Sequence, residues 1–215
     1  MTVFEKSVQF FQIIEQELFP NNPVKEFFIP AKDKQRETGL MAFLFDGDDH
    51  GYLINPYKLR IEYKSKRTPI IAFYNKQVDF RKFKGTILLP GAYGNLLIAQ
   101  HVAHEVRHRF QRINKVNAIV SSDEYTSSNS FFSFLVDCAS HDIRRGYYGE
   151  TAFEEEIDAR VVAYIFAREV YMRVEMYDEE LVDAVKHCAK IISYDLAQLT
   201  ELVNSYCWIK ITEEA

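Results

Sequence analysis

The chain is poor in cysteine, tryptophan, proline and glycine: three, one, six and eight among 215 residues. Cys138, Cys188 and Cys207 are far apart and form no C-x-x-C pair. Such a sparse, odd set argues against a disulfide-stapled scaffold or a cysteine-held zinc, and fits buried thiols in a reducing compartment. No run of about 18 apolar residues occurs, so no membrane span is expected. Basic charge is not in excess, with 26 Lys and Arg against 31 Asp and Glu and a net charge of -5. That balance gives no general hold on a nucleic-acid backbone. Glu5, Lys6, Glu15 and Glu17 interrupt the first apolar stretch, which therefore lacks a secretory core. Internal repeats and low-complexity linkers are also missing. The expectation is a cytoplasmic protein of one domain, with neither nucleic acid nor membrane as a partner.

What the chain does have is aromatic residues, 17 Phe and 13 Tyr, and a change of pattern along its length. Residues 2–19 repeat Val3, Phe4, Val8, Phe11, Ile14 and Leu18 at helical spacing. Thr2 and Glu5 form a capping-box signature at one end, and Pro20 stops the run at the other. Residues 20–92 break into short apolar runs between turn residues: Leu40–Phe45, Gly51–Ile54, Leu59–Tyr63, Ile70–Tyr74 and Thr86–Leu89. These predict a small antiparallel or mixed sheet of three to five strands. The acidic turn Asp46-Gly47-Asp48-Asp49 lacks the spacing and closing Glu of a calcium loop. The basic stretches 64–67 and 81–84 suit a solvated turn and a Lys-guarded edge strand.

After Pro90-Gly91 the pattern turns helical: Leu96–Ile113, then Phe131 to about Ile143, then Phe153 to about Met176. Thr151 and Glu154 are a second capping box, and a last region from Leu181 to Val203 is opened by Asp178. The polar residues 114–130 read as a loop. The predicted fold is α+β: a small N-terminal sheet with its helix (1–92) packed on a mainly helical half (93–215), in a single domain.

Inside the uninterrupted helix 96–113 lies His104-Glu105-Val106-Arg107-His108. Residues four apart on a helix stand one turn apart on nearly the same face. Two imidazoles so placed can hold one metal ion, and Glu105 can act on a water beside it. His101, one turn earlier, reads either as a supporting group or as an ordinary half-buried histidine. A catalytic zinc also takes a third protein ligand. Glu154, Glu155, Glu156 and Asp158 are the candidates on the later helix. Glu154 has a competing role in the cap, and Asp158 has the shorter reach. Glu156 is followed by Ala159 and Ala163 on its own face, small residues that let two helices approach closely.

With H-E-x-x-H on one helix and a glutamate on a later one, the chain resembles the gluzincin-type zinc peptidases. Its segment Glu156-Ile157-Asp158-Ala159-Arg160-Val161-Val162-Ala163 is similar to the E-x-x-A-N-x-F-A segment of the ImmA/IrrE family. By that resemblance Glu156 takes the ligand position. The chain departs from the family at Arg160, where Asn or Asp is usual, and at Arg107, where many members have Gly. A second alignment reads Glu154 and Asp158 as the E-x-x-x-D of thermolysin-like zincins, with Glu154 as ligand and Asp158 behind it. The resemblance implies a zinc metallopeptidase in which His104, His108 and Glu156 hold Zn2+ and Glu105 is the general base. His141, Tyr147 and Tyr148 are the candidate oxyanion donors. The partner would be a peptide or protein substrate, in the setting of a regulator that is cut, lying along an edge strand for which Thr86–Leu89 is the nearest candidate. A zincin scaffold that binds zinc without peptidase activity is the alternative.

Overall fold

A computed structural model describes residues 1–46, 49–59, 92–115, 118–144 and 153–206. Their architecture is α+β, a three-stranded sheet against a larger helical part. Helix α1 (Val3–Leu18) opens the chain. Thr2 Oγ1 accepts from the Glu5 N–H while Glu5 accepts from the Thr2 N–H, the reciprocal cap expected of these two residues. Strands β1 (Glu26–Phe28), β2 (Met41–Asp46) and β3 (Asp49–Ile54) follow, in the order β1-β3-β2. β1 runs parallel to β3, and β2 runs antiparallel to it with Phe43 opposite Tyr52. β1 is absent from the sequence-based expectation because three residues, Glu26-Phe27-Phe28, are too short to display alternation.

Helix α2 (Ala92–Ile113) carries the H-E-x-x-H segment in its second half. Then come α3 (Ser122–Ser128), α4 (Ser130–Arg144), α5 (Phe153–Met176), α6 (Leu181–Cys188), a 3-10 turn (Ala189–Ser193) and α7 (Leu196–Asn204). Two expectations are corrected here. The polar stretch 114–130 contains helix α3, started by a capping box between Ser121 and Glu124; its polarity reflects exposure on three sides rather than absence of structure. The helical region Leu181–Val203 divides into two helices and a 3-10 turn. Asp178 takes a left-handed backbone (φ 54) instead of capping it, a conformation Asp tolerates, and a separate box of Asp195 and Gln198 starts α7. Leu59 lies in a helical segment after β3, not in a strand. The rest of Leu59–Tyr63, Ile70–Tyr74 and Thr86–Leu89, the basic stretches 64–67 and 81–84, Tyr147, Tyr148, Thr151 and Cys207 lie outside the described residues.

One buried cluster runs from Phe10, Phe11 and Ile14 of α1 and Tyr52 and Ile54 of β3, through Val102, Ala103 and Val106 of α2, to Val161, Val162 and Phe166 of α5. Burying each of these side chains other than that of Ala103 is worth about 1.5–3 kcal/mol. α2 and α5 pack along each other, with Ala159 and Ala163 fully buried between larger neighbours. The apolar stripe expected on α2 is buried from Leu96 to Val106, but at its far end Ile113 is 49% exposed.

The sheet is tied to α2 by a buried carboxylate. Glu15 accepts from the Tyr52 hydroxyl of β3, from the Val24 N–H (3.0 Å) and from Arg109 of α2. Arg109 also donates to the Asn22 carbonyl and stacks on Phe19. Because the charge of Glu15 is matched by a guanidinium and two neutral donors, it can stay inside. Removing either partner would leave the other charge buried and unpaired, so α1, β3 and α2 are locked at one relative position. Cys188 is a buried thiol, and Cys138, half-buried, forms no disulfide. Burial pushes the Cys188 thiol up to about 12, so it stays protonated and unreactive.

Candidate metal centre

His104 and His108 project from consecutive turns of α2 toward the first turns of α5. Their Nε2 atoms are 3.0 Å apart. Glu156 of α5 closes the triangle, with Oε1 3.2 Å from His108 Nε2 and Oε2 3.4 Å from His104 Nε2. In a tetrahedral zinc site with bonds of about 2.0–2.1 Å, neighbouring ligand atoms are about 3.4 Å apart. The observed separations, 3.0 to 3.4 Å with the two imidazoles facing different oxygens of Glu156, are close to that spacing or slightly shorter. Glu156 Oε2 is buried and accepts no hydrogen bond among the described residues. Two ring nitrogens aimed at each other beside a carboxylate oxygen without a donor form a set that a cation between them would satisfy. The residues therefore fit a divalent metal with imidazole and carboxylate ligands.

The charges agree with the geometry. Burial works against ionising His108, but the Glu156 and Glu105 carboxylates and the Gln111 amide outweigh it and push its pKa up to about 9. Burial likewise works against the Glu156 carboxylate, and the two histidines outweigh it, holding Glu156 well below the usual carboxylate range. The Glu156 carboxylate and the His108 ring thus favour each other's charged forms across 3.2 Å. His101 does not join the triangle. Its Nε2 is buried without a partner among the described residues, and burial, His104 and Arg160 push it down to about 3, so it is neutral.

Glu105 faces the other way, toward the sheet, where its Oε2 accepts from the Phe43 N–H at 2.8 Å. The register explains why that N–H is available. Asn55 N–H donates to the Leu40 carbonyl (2.9 Å), one step beyond the Met41–Ile54 pair. Alternation along an antiparallel ladder then turns the backbone groups of residues 40, 42 and 44 toward β3 and those of 41, 43 and 45 away from it. β2 has β3 on one side only among the described residues. Its open edge and α2 form the walls of a cleft. Gly39, Met41, Phe43 and Phe45 line one side, His104, Glu105, His108 and Arg112 the other, and Glu155 and Glu156 close the end. Arg112 stacks on the Phe45 ring across the cleft, 4.2 Å from its centroid.

The remaining acids of α5 have other partners. Glu154 accepts from the N–H and hydroxyl of Ser122 and so holds the start of α3. Glu155 is at the rim, 3.9 Å from His108 Nδ1. Asp158 is fully buried and accepts two hydrogen bonds from Arg107, at 2.8 and 3.0 Å, one from Gln111 and one from the Tyr125 hydroxyl. Arg107 also donates to the Ile192 and Tyr194 carbonyls. Arg107 is thus turned away from the cleft, into the packing of α2 on α5, while Arg160 stays near the site with Nε 3.6 Å from Glu156 Oε2. His141 is exposed on α4 and is not among the residues lining the cleft.

Gln111 and Tyr125 escaped the sequence reading. Gln111 sits three residues after His108, where a helix brings side chains together, and that spacing is the one signal that points to it. Nothing in the sequence marks Tyr125 apart from its place in a polar stretch. No family model, curated protein or solved structure matches the chain. No helix among the described residues is long and apolar enough to cross a membrane.

Proposed function

We propose that the protein is a zinc-dependent metallopeptidase of the zincin type. The observation that carries this reading is the convergence of His104, His108 and Glu156 at metal-ligand spacing, in the cleft that also holds Glu105 and the open edge of β2. His104, His108 and Glu156 would hold Zn2+. When bound there, the metal supplies Lewis-acid chemistry, acidifying a water and polarising a carbonyl.

The chain's own residues supply the rest. The outward backbone groups of residues 41 and 45 and the Phe43 carbonyl offer pairing to an extended peptide, which would lie in the cleft as an added strand, while the Phe43 N–H is held by Glu105. Glu105 takes the proton from the attacking water. As the water oxygen adds to the scissile carbonyl carbon and the C–N bond breaks, Glu105 returns that proton to the leaving nitrogen. Glu156 and the two imidazoles hold their positions because α2 and α5 are locked through Arg107 and Asp158. A positioned general base and a metal site on rigid helices are what such hydrolysis requires.

A second reading is a zinc-binding protein without peptidase activity. The bond from the Phe43 N–H to Glu105 supports it, since it commits the general base to the sheet edge. One experiment separates the two: the zinc content of the purified, zinc-supplemented protein, followed by mass spectrometry of a mixed peptide pool incubated with it. Stoichiometric zinc with new peptide termini supports the peptidase. Stoichiometric zinc without cleavage supports the second reading, and no zinc overturns both.

A further inference from the structure

We infer that Gln111 is a positioning residue of this metal centre, setting the tautomer of His108 so that Nε2 is the nitrogen offered to the metal. The inference rests on the zinc-site reading above. It follows from a one-way chain of hydrogen bonds. Arg107 can only donate, and its guanidinium is held by the Ile192 and Tyr194 carbonyls and by Asp158. Both oxygens of Asp158 accept from that guanidinium. Gln111 Nε2 has two hydrogens and faces two acceptors, Asp158 Oδ2 at 2.8 Å and the Glu155 carbonyl at 2.9 Å. Both hydrogens are therefore spoken for, and the amide cannot be flipped without setting oxygen against oxygen at both contacts. Gln111 Oε1 is left to face His108 Nδ1 at 2.8 Å.

A carbonyl oxygen can only accept, so Nδ1 carries the proton. Nε2, beside Glu156 Oε1 and His104 Nε2, is then the free lone pair once a metal replaces its proton. The relay begins and ends inside the motif: Arg107 orients Asp158, Asp158 orients Gln111, and Gln111 orients His108. A partner that fixes the second nitrogen of a metal-bound histidine usually matters 10–100-fold in affinity, roughly. Gln111 is 0% exposed, so its amide has no water to compete with these partners.

The test uses zinc-loaded full-length protein with 15N-labelled histidine and long-range nitrogen–proton correlation spectra, together with zinc affinity by chelator competition. The expected result is His108 bound through Nε2 with a protonated Nδ1. Gln111→Met should lower zinc affinity by about 10–100-fold. A residue that merely filled space would leave Gln111→Met, of nearly the same size and length, with the zinc affinity of the parent protein, and that result overturns the inference. So does coordination of His108 through Nδ1 in the parent protein, a reading available even if Gln111→Met fails to fold. Absence of zinc binding in the parent protein overturns the metal reading itself, and is recognised before any variant is compared.

Discussion

Phe43 of β2 donates its backbone N–H to the Glu105 carboxylate at 2.8 Å, joining residues 62 positions apart and fixing the motif helix against the sheet edge. The bond places Glu105 outside the ligand triangle, on the cleft wall nearest the open edge. Glu105→Gln should therefore keep stoichiometric zinc and the native fold, because Gln retains an acceptor oxygen for Phe43. Peptide hydrolysis should fall by about 10²–10⁴-fold, the range for loss of a general base. Metal analysis and cleavage rates on the same sample check both halves, and loss of zinc would show that Glu105 helps to hold the metal.

Glu154 and Glu156 are two residues apart on α5 but face different neighbours. Glu156→Ala should abolish stoichiometric zinc. Glu154→Ala should leave zinc in place and reduce stability by about 1 kcal/mol, the usual worth of satisfying a helix start, because Glu154 serves the first turn of α3 at Ser122. Zinc retained in Glu156→Ala and lost in Glu154→Ala would instead favour the thermolysin-like alignment.

The raised pKa of His108, about 9 against an ordinary value of 6.5, has two opposite consequences. In the metal-free protein it contributes stability that is fully present below about pH 6.5 and is lost as the pH rises through 9. Zinc must displace that proton. Apparent zinc affinity should therefore rise with pH, about tenfold per unit from His108 alone, and level off above 9. Thermal melts of the chelator-treated protein and zinc titrations from pH 6 to about pH 10 should move in opposite directions.

Arg107 and Asp158 form a fully buried pair. Arg107→Met should destabilise the metal-free protein by about 3–5 kcal/mol, because Asp158 is left charged and short of donors in the interior. A double variant with Asp158→Leu should recover part of the loss. Urea unfolding of the parent protein, each single variant and the double variant measures the coupling, and additive losses would count against a shared network.

Much of the site was legible because helical spacing is a local property. His104, Glu105 and His108 lie within five residues, and an uninterrupted helix guarantees the common orientation of His104 and His108. The preference for Glu156 rested on Ala159 and Ala163, and these side chains are buried where α5 meets α2. Arg107 read as a departure from a family pattern because its partner, Asp158, is 51 positions away. Gln111 looked like one more polar helix residue because its two acceptors belong to another helix. Polar residues inside an amphipathic pattern do not announce whether they face water or a buried partner.

By itself the sequence determined the α+β class, the long helices, the cap at Thr2 and the pairing of two histidines on one helix face. These follow from short-range periodicity and from side chains that act within a turn or two. Only the tertiary structure decided which acid of α5 meets the histidines, that β2 is the strand beside them, and that Asp158, Gln111 and Tyr125 stand behind the site. Those outcomes depend on how far one helix is rotated and slid against another. That is set by the packing of the whole core and the buried Glu15–Arg109 and Arg107–Asp158 pairs, which no local window of the chain contains.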